Sequence, residues 1–252
     1  MDLSLFQYDY PQELIAQHPL PKRDSSRMMV LQRPTDEHML TGTICNEWVK
    51  NLPAYLQKGD LLVFNDTKVF PARLLSGKME ILLLEKCGPD ETWKCLGKPL
   101  KKLGEGLQLI FSENLKGTII QNREDVLRIQ FESKNFEEEI EKIGLPPLPP
   151  YIRRKSAADY TKEDRVRYQS IFARHKGSAA APTASFHFSQ KMLEAIKNKG
   201  IETATITLHV SRDTFLPIRE ADIQKHKMHG NVFTSPMKQK KKSPGQNKTA
   251  AG

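Results

Sequence analysis

The sequence predicts a mixed α/β (α+β) fold: a main α/β domain built from both ends of the chain and interrupted by a small antiparallel β-barrel. Two observations carry this. Between Lys78 and Phe131 the runs MEILLLE, TWKCL, GLQLIF, GTIIQ and VLRIQF are short, apolar or alternating, and separated by Gly, Pro, Asn and Asp, as in a small barrel. After Ser189 the hydrophobic period changes from that of a helix, with Met192, Leu193 and Ile196 on one face, to that of a strand. From Ile201 onward Ala204, Ile206, Leu208 and Val210 alternate with Thr203, Thr205, Thr207 and His209. A length of 252 residues suits one large domain carrying a smaller one. The expected boundaries are 1–60 with 145–235 for the main domain, 61–144 for the inserted barrel and 236–252 for a basic tail.

Taken in order, Leu14 and Ile15 precede HPLPKRDSSRMMVL, in which Met28–Leu31 reads as a short buried strand entered from a charged turn. Arg23 and Arg27 flank Asp24. They fit either a local ion pair or an arginine fork presented to a carboxylate or phosphate. Trp48–Leu56 reads as a short amphipathic helix interrupted by Pro53, followed by a turn at Gly59 and a strand at Leu61–Phe64. Asp66 then either caps a turn or holds a substrate hydroxyl. Phe136, Ile140 and Ile143 recur at helical spacing, and Gly144 ends that helix. The prolines of LPPLPPYIRR exclude a helix, because each lacks a donor and pushes its predecessor toward an extended state. Here Tyr151 and Arg153 either stack on and pair with a nucleotide or pack a crossing strand. A further helix is expected over Thr161–Ala173, with Val166, Ile171 and Phe172 inward.

The stretch Lys176–Ser189, KGSAAAPTASFHFS, is the site candidate. Its small residues let another molecule approach the backbone, Gly177 and Pro182 impose an irregular path, and Ser189 is placed to cap the following helix.

Charge and cysteine bound the function. The chain carries a net +9, but the tail from Pro236 holds five lysines and no acid, which leaves only +4 elsewhere. A polyanionic partner and a merely basic surface are both compatible with that balance. Lys98, Lys101 and Lys102 likewise fit a solvated face or a phosphate track. Cys45, Cys87 and Cys95 cannot all pair and form no C-x-x-C, so reduced thiols in a cytoplasmic protein are expected. The start MDLSLFQYDYPQE has neither a basic beginning nor a long apolar run, so neither a signal peptide nor a membrane span is read. His226 and His229 share a helical face, yet no thiol or acid nearby completes a ligand set, and no metal is expected.

These motifs resemble the S-adenosylmethionine:tRNA ribosyltransferase-isomerase family of queuosine biosynthesis. The family's GSVAAPTAGLHFT stands here as GSAAAPTASFHFS from Gly177, and its TLHVGxGTFxPV as TLHVSRDTFLPI from Thr207. LIAQHPLPKRDSSRMMVL, GDLLVFNDTKVFPARL, PLPPYIRR and RYQSIFA also match in the family's order, with Lys68 where the family has arginine. The resemblance weakens at its end. Ser211–Asp213 replaces a glycine-rich turn, HKMHGN replaces HxMHSE, and the family's GTTSxRTLE and NFHLPxSTLL segments have no counterpart. It therefore implies a main domain incomplete at its C-terminal end.

The resemblance implies a specific chemistry. The ribose of S-adenosylmethionine passes to the 7-aminomethyl-7-deazaguanine wobble base of tRNA and is isomerised to an epoxycyclopentanediol, giving epoxyqueuosine-tRNA with release of adenine and methionine. S-adenosylmethionine is consumed as donor, and no other cofactor is implied. A base beside the sulfonium, an acid for adenine and clamps for the methionine moiety are needed. His187 and His209 are the catalytic candidates, since imidazole titrates near working pH. Arg23, Asp66, Arg73, Tyr151, Arg153, Tyr168, Gly177, Ser178, Thr183 and Thr207 are the candidates for holding substrate. The partners are tRNA and S-adenosylmethionine, the location is the cytoplasm, and a monomer without membrane contact is expected. The alternative is a shortened relative that binds tRNA and transfers nothing.

Overall fold

A computed structural model describes residues 3–33, 42–123, 126–154, 156–210 and 232–234. The chain begins with a two-stranded antiparallel ribbon, β1 (Arg27–Gln32) on β2 (Thr43–Trp48). The strand expected at Met28–Leu31 is present, but it is not buried: Met29 is 71% and Leu31 61% exposed. A lone ribbon has two faces, and among the described residues only Met28 packs into a core, with Val49 and α3 (Gln190–Asn198). The expected helix at Trp48–Leu56 is a 3-10 segment, Val49–Tyr55, containing Pro53. Proline offers no N–H for an α-helical ladder, and the segment closes instead with a short-range bond from Leu56 N–H to the Pro53 carbonyl.

Two parallel pairings then organise the main α/β part. β3 (Leu61–Asn65) runs parallel to β12 (Glu202–His209), which also pairs antiparallel with β13 (Val232–Thr234). After the single residue Asp66, β4 (Thr67–Val69) runs parallel to a different strand, β11 (His175–Ser178). α3 is the crossover that joins β11 to β12. Ser189 caps it by accepting from Met192 N–H, and Gly200, at φ +76°, turns the chain back into β12.

The barrel is a six-stranded antiparallel sheet in the order β5 (Arg73–Ser76), β6 (Met79–Lys86), β7 (Thr92–Lys98), β10 (Val126–Glu132), β9 (Leu115–Arg123), β8 (Gln108–Ser112). Its edges nearly meet: Ile110 N–H on β8 donates to Ser76 Oγ on β5 at 3.1 Å. The curled sheet brings its two edges together and encloses Leu74, Ile81, Leu83, Cys95, Leu109, Leu115, Ile119, Leu127 and Ile129, all fully buried. Gly97 is required by the packing inside: a Cβ there would lie 2.1 Å from Leu103 Cδ1. α1 (Phe136–Ile143), capped by Asn135, covers one end with Phe136 set 5.4 Å from Trp93 and 5.1 Å from Phe131.

The chain enters and leaves this unit at one place. Arg73 and Leu145 exchange both backbone hydrogen bonds, at 3.2 and 2.8 Å. Because residues 61–69 pair with β12 and β11, we infer that the inserted unit runs from Arg73 to Leu145 rather than over 61–144. After the proline-rich crossing, α2 spans only Lys162–Arg167. The longer helix expected to Ala173 stops because Gln169 uses its side-chain amide to bond both the N–H and the carbonyl of Val69, which draws the chain toward β4. Val166, expected inward, is 66% exposed, whereas Phe172 stacks on Phe64 at 4.1 Å. All three cysteines are free, and burial pushes the Cys95 thiol well above its ordinary range. No described helix is long and apolar enough to cross a membrane.

Candidate active site

The residue where the chain changes partners, Asp66, is the centre of a polar cluster. At the carboxyl ends of parallel strands, backbone groups diverge at such a switch and leave a crevice that side chains must fill. Asp66 is buried. Its N–H donates to Ile206 O, its carbonyl accepts from Arg174 and His175 N–H, and its Oδ1 accepts from the buried Thr207 hydroxyl at 2.6 Å. Its Oδ2 lies 3.7 Å from Nε2 of the exposed His175. Asp66 thus joins β3, β11 and β12, and its carboxylate faces Thr207 and His175 rather than capping a turn among the described residues.

Its neighbours extend the seam. Asn65 continues the β3–β12 ladder with its side chain, donating to Leu208 O and accepting from Leu208 N–H, while it also accepts from Thr67 N–H. The fully buried Thr67 places its hydroxyl 2.8 Å from Nδ1 of His209. Gly177 lies under that imidazole. Its φ is +149°, and a Cβ would fall 2.6 Å from Cε1 and 2.8 Å from each ring nitrogen, so only glycine lets the ring lie flat there. Ser178, with no exposure, accepts from Val210 N–H at 2.7 Å and locks the end of β12 to β11. The alanines behind it, Ala179 to Ala181, are buried, and the first two donate to the Val210 carbonyl. The stretch of small residues is therefore packed against β12 by its backbone.

This cluster offers one exposed imidazole, one half-buried imidazole held through Nδ1, and one buried carboxylate. When Nδ1–H of His209 donates to Thr67, Nε2 is the free basic nitrogen; in the opposite tautomer Nε2 carries the proton.

The comparisons with known proteins bear on what such a cluster serves. The family model described as "Queuosine biosynthesis protein" matches residues 3–245. The chain belongs to this family. A protein from Syntrophotalea carbinolica named S-adenosylmethionine:tRNA ribosyltransferase-isomerase is 41% identical over 94% of this chain and 68% of its own length. One of the same name from Acetivibrio thermocellus is 43% identical over 92% of this chain and 67% of its own length. A crystal structure of S-adenosylmethionine tRNA ribosyltransferase from Thermotoga maritima is 30% identical, covering 81% of this chain and 58% of that one. Its TM-score of 0.32 carries no argument about the fold.

Within this family member, Asp66, Gly177, Ser178, Thr207 and His209 come together, while the remaining predicted residues lie elsewhere. Thr183 and His187 occupy the 3-10 turn Thr183–His187; Thr183 is exposed and His187 is half-buried, its imidazole without a hydrogen bond to another described residue. Arg23 donates to the carbonyls of Phe186, on that turn, and Val166. It does not pair with Asp24, whose Oδ2 accepts from the Ser189 hydroxyl at 2.6 Å. Tyr168 is buried against Ala181 and Phe186, and burial pushes its hydroxyl above the usual phenolic range. Tyr151 and Arg153 are exposed on the proline-rich crossing. Arg73 bonds the Tyr160 hydroxyl and pairs with Glu80 at 2.5 Å, facing the barrel.

Sequence reasoning missed Thr67, His175 and Gln17. The first two flank named residues in NDT and RHKGS and are visible only as polar side chains at strand ends. Gln17 pins the proline-rich crossing by donating to Tyr151 O and accepting from Arg153 N–H. His226, His229, Ser211, Arg212, Asp213 and the tail lie outside the described residues. Among the described residues, no group of three His, Cys, Asp or Glu could hold a metal.

Proposed function

We propose that this protein transfers and isomerises the ribosyl moiety of S-adenosylmethionine onto the 7-aminomethyl-7-deazaguanine wobble base of tRNA, giving epoxyqueuosine-tRNA and releasing adenine and methionine. The observation that carries the reading is identity of 41–43% over 92–94% of the chain to enzymes bearing that activity in their names. In this reading the protein acts as a monomer in the cytoplasm, and S-adenosylmethionine is consumed as a substrate rather than retained as a cofactor.

The cluster at Asp66 supports a division of roles. His209, steered by Thr67 and backed by Gly177, serves as the base that takes a proton from carbon beside the sulfonium. Asp66 accepts from the Thr207 hydroxyl and so orients it toward a ribose hydroxyl. His187, free of protein partners among the described residues, is the second imidazole within the matching motif and serves as the acid for departing adenine. The exposed Thr183 flanks the approach to the loop, while the buried Ser178 holds the loop to the end of β12.

The test is incubation with S-adenosylmethionine and tRNA bearing the aminomethyl deazaguanine. Stoichiometric adenine release with a mass gain on the tRNA supports the reading; tRNA retention without adenine release overturns it.

A further inference from the structure

A concavity of about 460 Å³, none of whose lining residues belongs to the Asp66 cluster, lies where the barrel meets the proline-rich crossing. Its floor is β6 and β7, including Leu82, Leu96 and Gly97, and its opposite wall is Pro147–Pro150 with Ile152. Four cationic side chains reach it, and their partners separate them into two kinds. Arg73 is paired with Glu80, and Arg154 makes a two-bond pair with the buried Asp164 at 2.7 and 3.1 Å. Lys98 and Arg153 have no side-chain partner among the described residues, and both are exposed.

Two unpaired cations, one from the barrel and one from the proline-rich crossing, thus line the same groove. The wall is rigid, because proline fixes φ, and it is anchored from behind by Gln17 and by the Arg154–Asp164 pair. Tyr151, two residues before Arg153 and 52% exposed, is not part of the groove lining. Exposed cations beside an apolar, proline-rich wall match a single-stranded nucleic-acid segment, whose charged phosphates alternate with flat apolar base faces. The unpaired positive charge disfavours a neutral or cationic ligand.

We propose that this groove is an RNA-binding surface, at which Lys98 and Arg153 each neutralise a phosphate of a single-stranded segment. This rests on the reading of the protein as one that acts on tRNA, and adds to it a contact made by the barrel. The groove begins at Arg73, seven residues along the chain from Asp66. That is a contour of at most about 25 Å, so one folded RNA spans both.

The experiment measures tRNA affinity of the full chain across a salt titration for the wild type, for Lys98→Ala/Arg153→Ala, and for Lys101→Ala/Lys102→Ala. The last pair sits on the adjoining 3-10 turn outside the groove. The groove variant is expected to bind about tenfold more weakly, with the slope of log K against log salt shallower by about 1–2. The control is expected to follow the wild type. An unchanged slope in the groove variant, an equal loss in the control, or loss of S-adenosylmethionine uptake in place of tRNA affinity overturns the proposal. A single Arg153→Glu exchange gives a second reading, expected to weaken binding more than Arg153→Ala. Wild-type protein that binds tRNA through the groove but releases no adenine leaves this inference standing and removes the catalytic one. Wild-type protein that releases adenine while the groove variant binds tRNA normally does the reverse.

Discussion

At the scale of single residues, the site is held by groups that have one acceptable identity. Gly177→Ala places a methyl group within 2.8 Å of the His209 nitrogens at a φ few other residues adopt. The expected outcome is a loss of about 1–3 kcal/mol in denaturant titration and of most adenine release, since the ring must tilt off Thr67. Asp66 separates structure from charge. Asp66→Ala leaves the buried Thr207 hydroxyl without its acceptor, a cost of about 1–3 kcal/mol, whereas Asp66→Asn keeps an oxygen at that place and removes only the charge. Comparable melting of Asp66→Asn and wild type, with activity depressed in the former, is expected. Equal stability of Asp66→Ala and wild type would remove Asp66 from the structural role given to it.

At the scale of elements, the proline-rich crossing depends on one ion pair. Arg154 and Asp164 have side-chain exposures of 5% and 7%, so removing either partner strands a charge away from water. Asp164→Asn is expected to lower stability by about 3–5 kcal/mol at neutral pH, read from chemical denaturation. The pH dependence has a definite sign. Burial by itself would raise the Asp164 carboxyl, but hydrogen bonds from Arg154 and the Thr161 N–H outweigh it and hold the group below its ordinary range. A depressed carboxyl contributes stability that is complete above about pH 4 and is lost as the pH falls through the lower, folded value. The gap between wild type and Asp164→Asn should therefore be widest near neutrality and close in acid. A gap that widens in acid would reverse the assignment.

At the scale of the whole molecule, the barrel and the main α/β part share a short seam at Arg73 and Leu145, and Arg73 also lines the groove. A ligand that binds only the folded state stabilises by mass action. S-adenosylmethionine at a hundred times its dissociation constant should add about 2.7 kcal/mol, a rise in Tm of roughly 5–10 °C by calorimetry. No shift on folded protein at any concentration would sink the enzymatic reading. Truncating the barrel interior is the complementary test. Ile119→Ala, fully buried at the centre of β9, is expected to cost about 2–5 kcal/mol through the cavity it leaves.

Much of this was legible in the chain before any tertiary contact was known, for a physical reason: local periodicity and capping depend on neighbours in sequence. The alternating runs between Lys78 and Phe131, the helix ended by Gly144, the Ser189 cap and the strand carrying His209 are of this kind. Tertiary structure alone decided that Asp66 is where the chain changes strand partners, that Gly177 is required by the His209 ring, and that Arg23 bonds carbonyls. It also shortened α2, because Gln169 bonds a strand about a hundred residues away in sequence. Parallel pairing joins segments whose separation no local pattern encodes, and it is parallel pairing that builds this site.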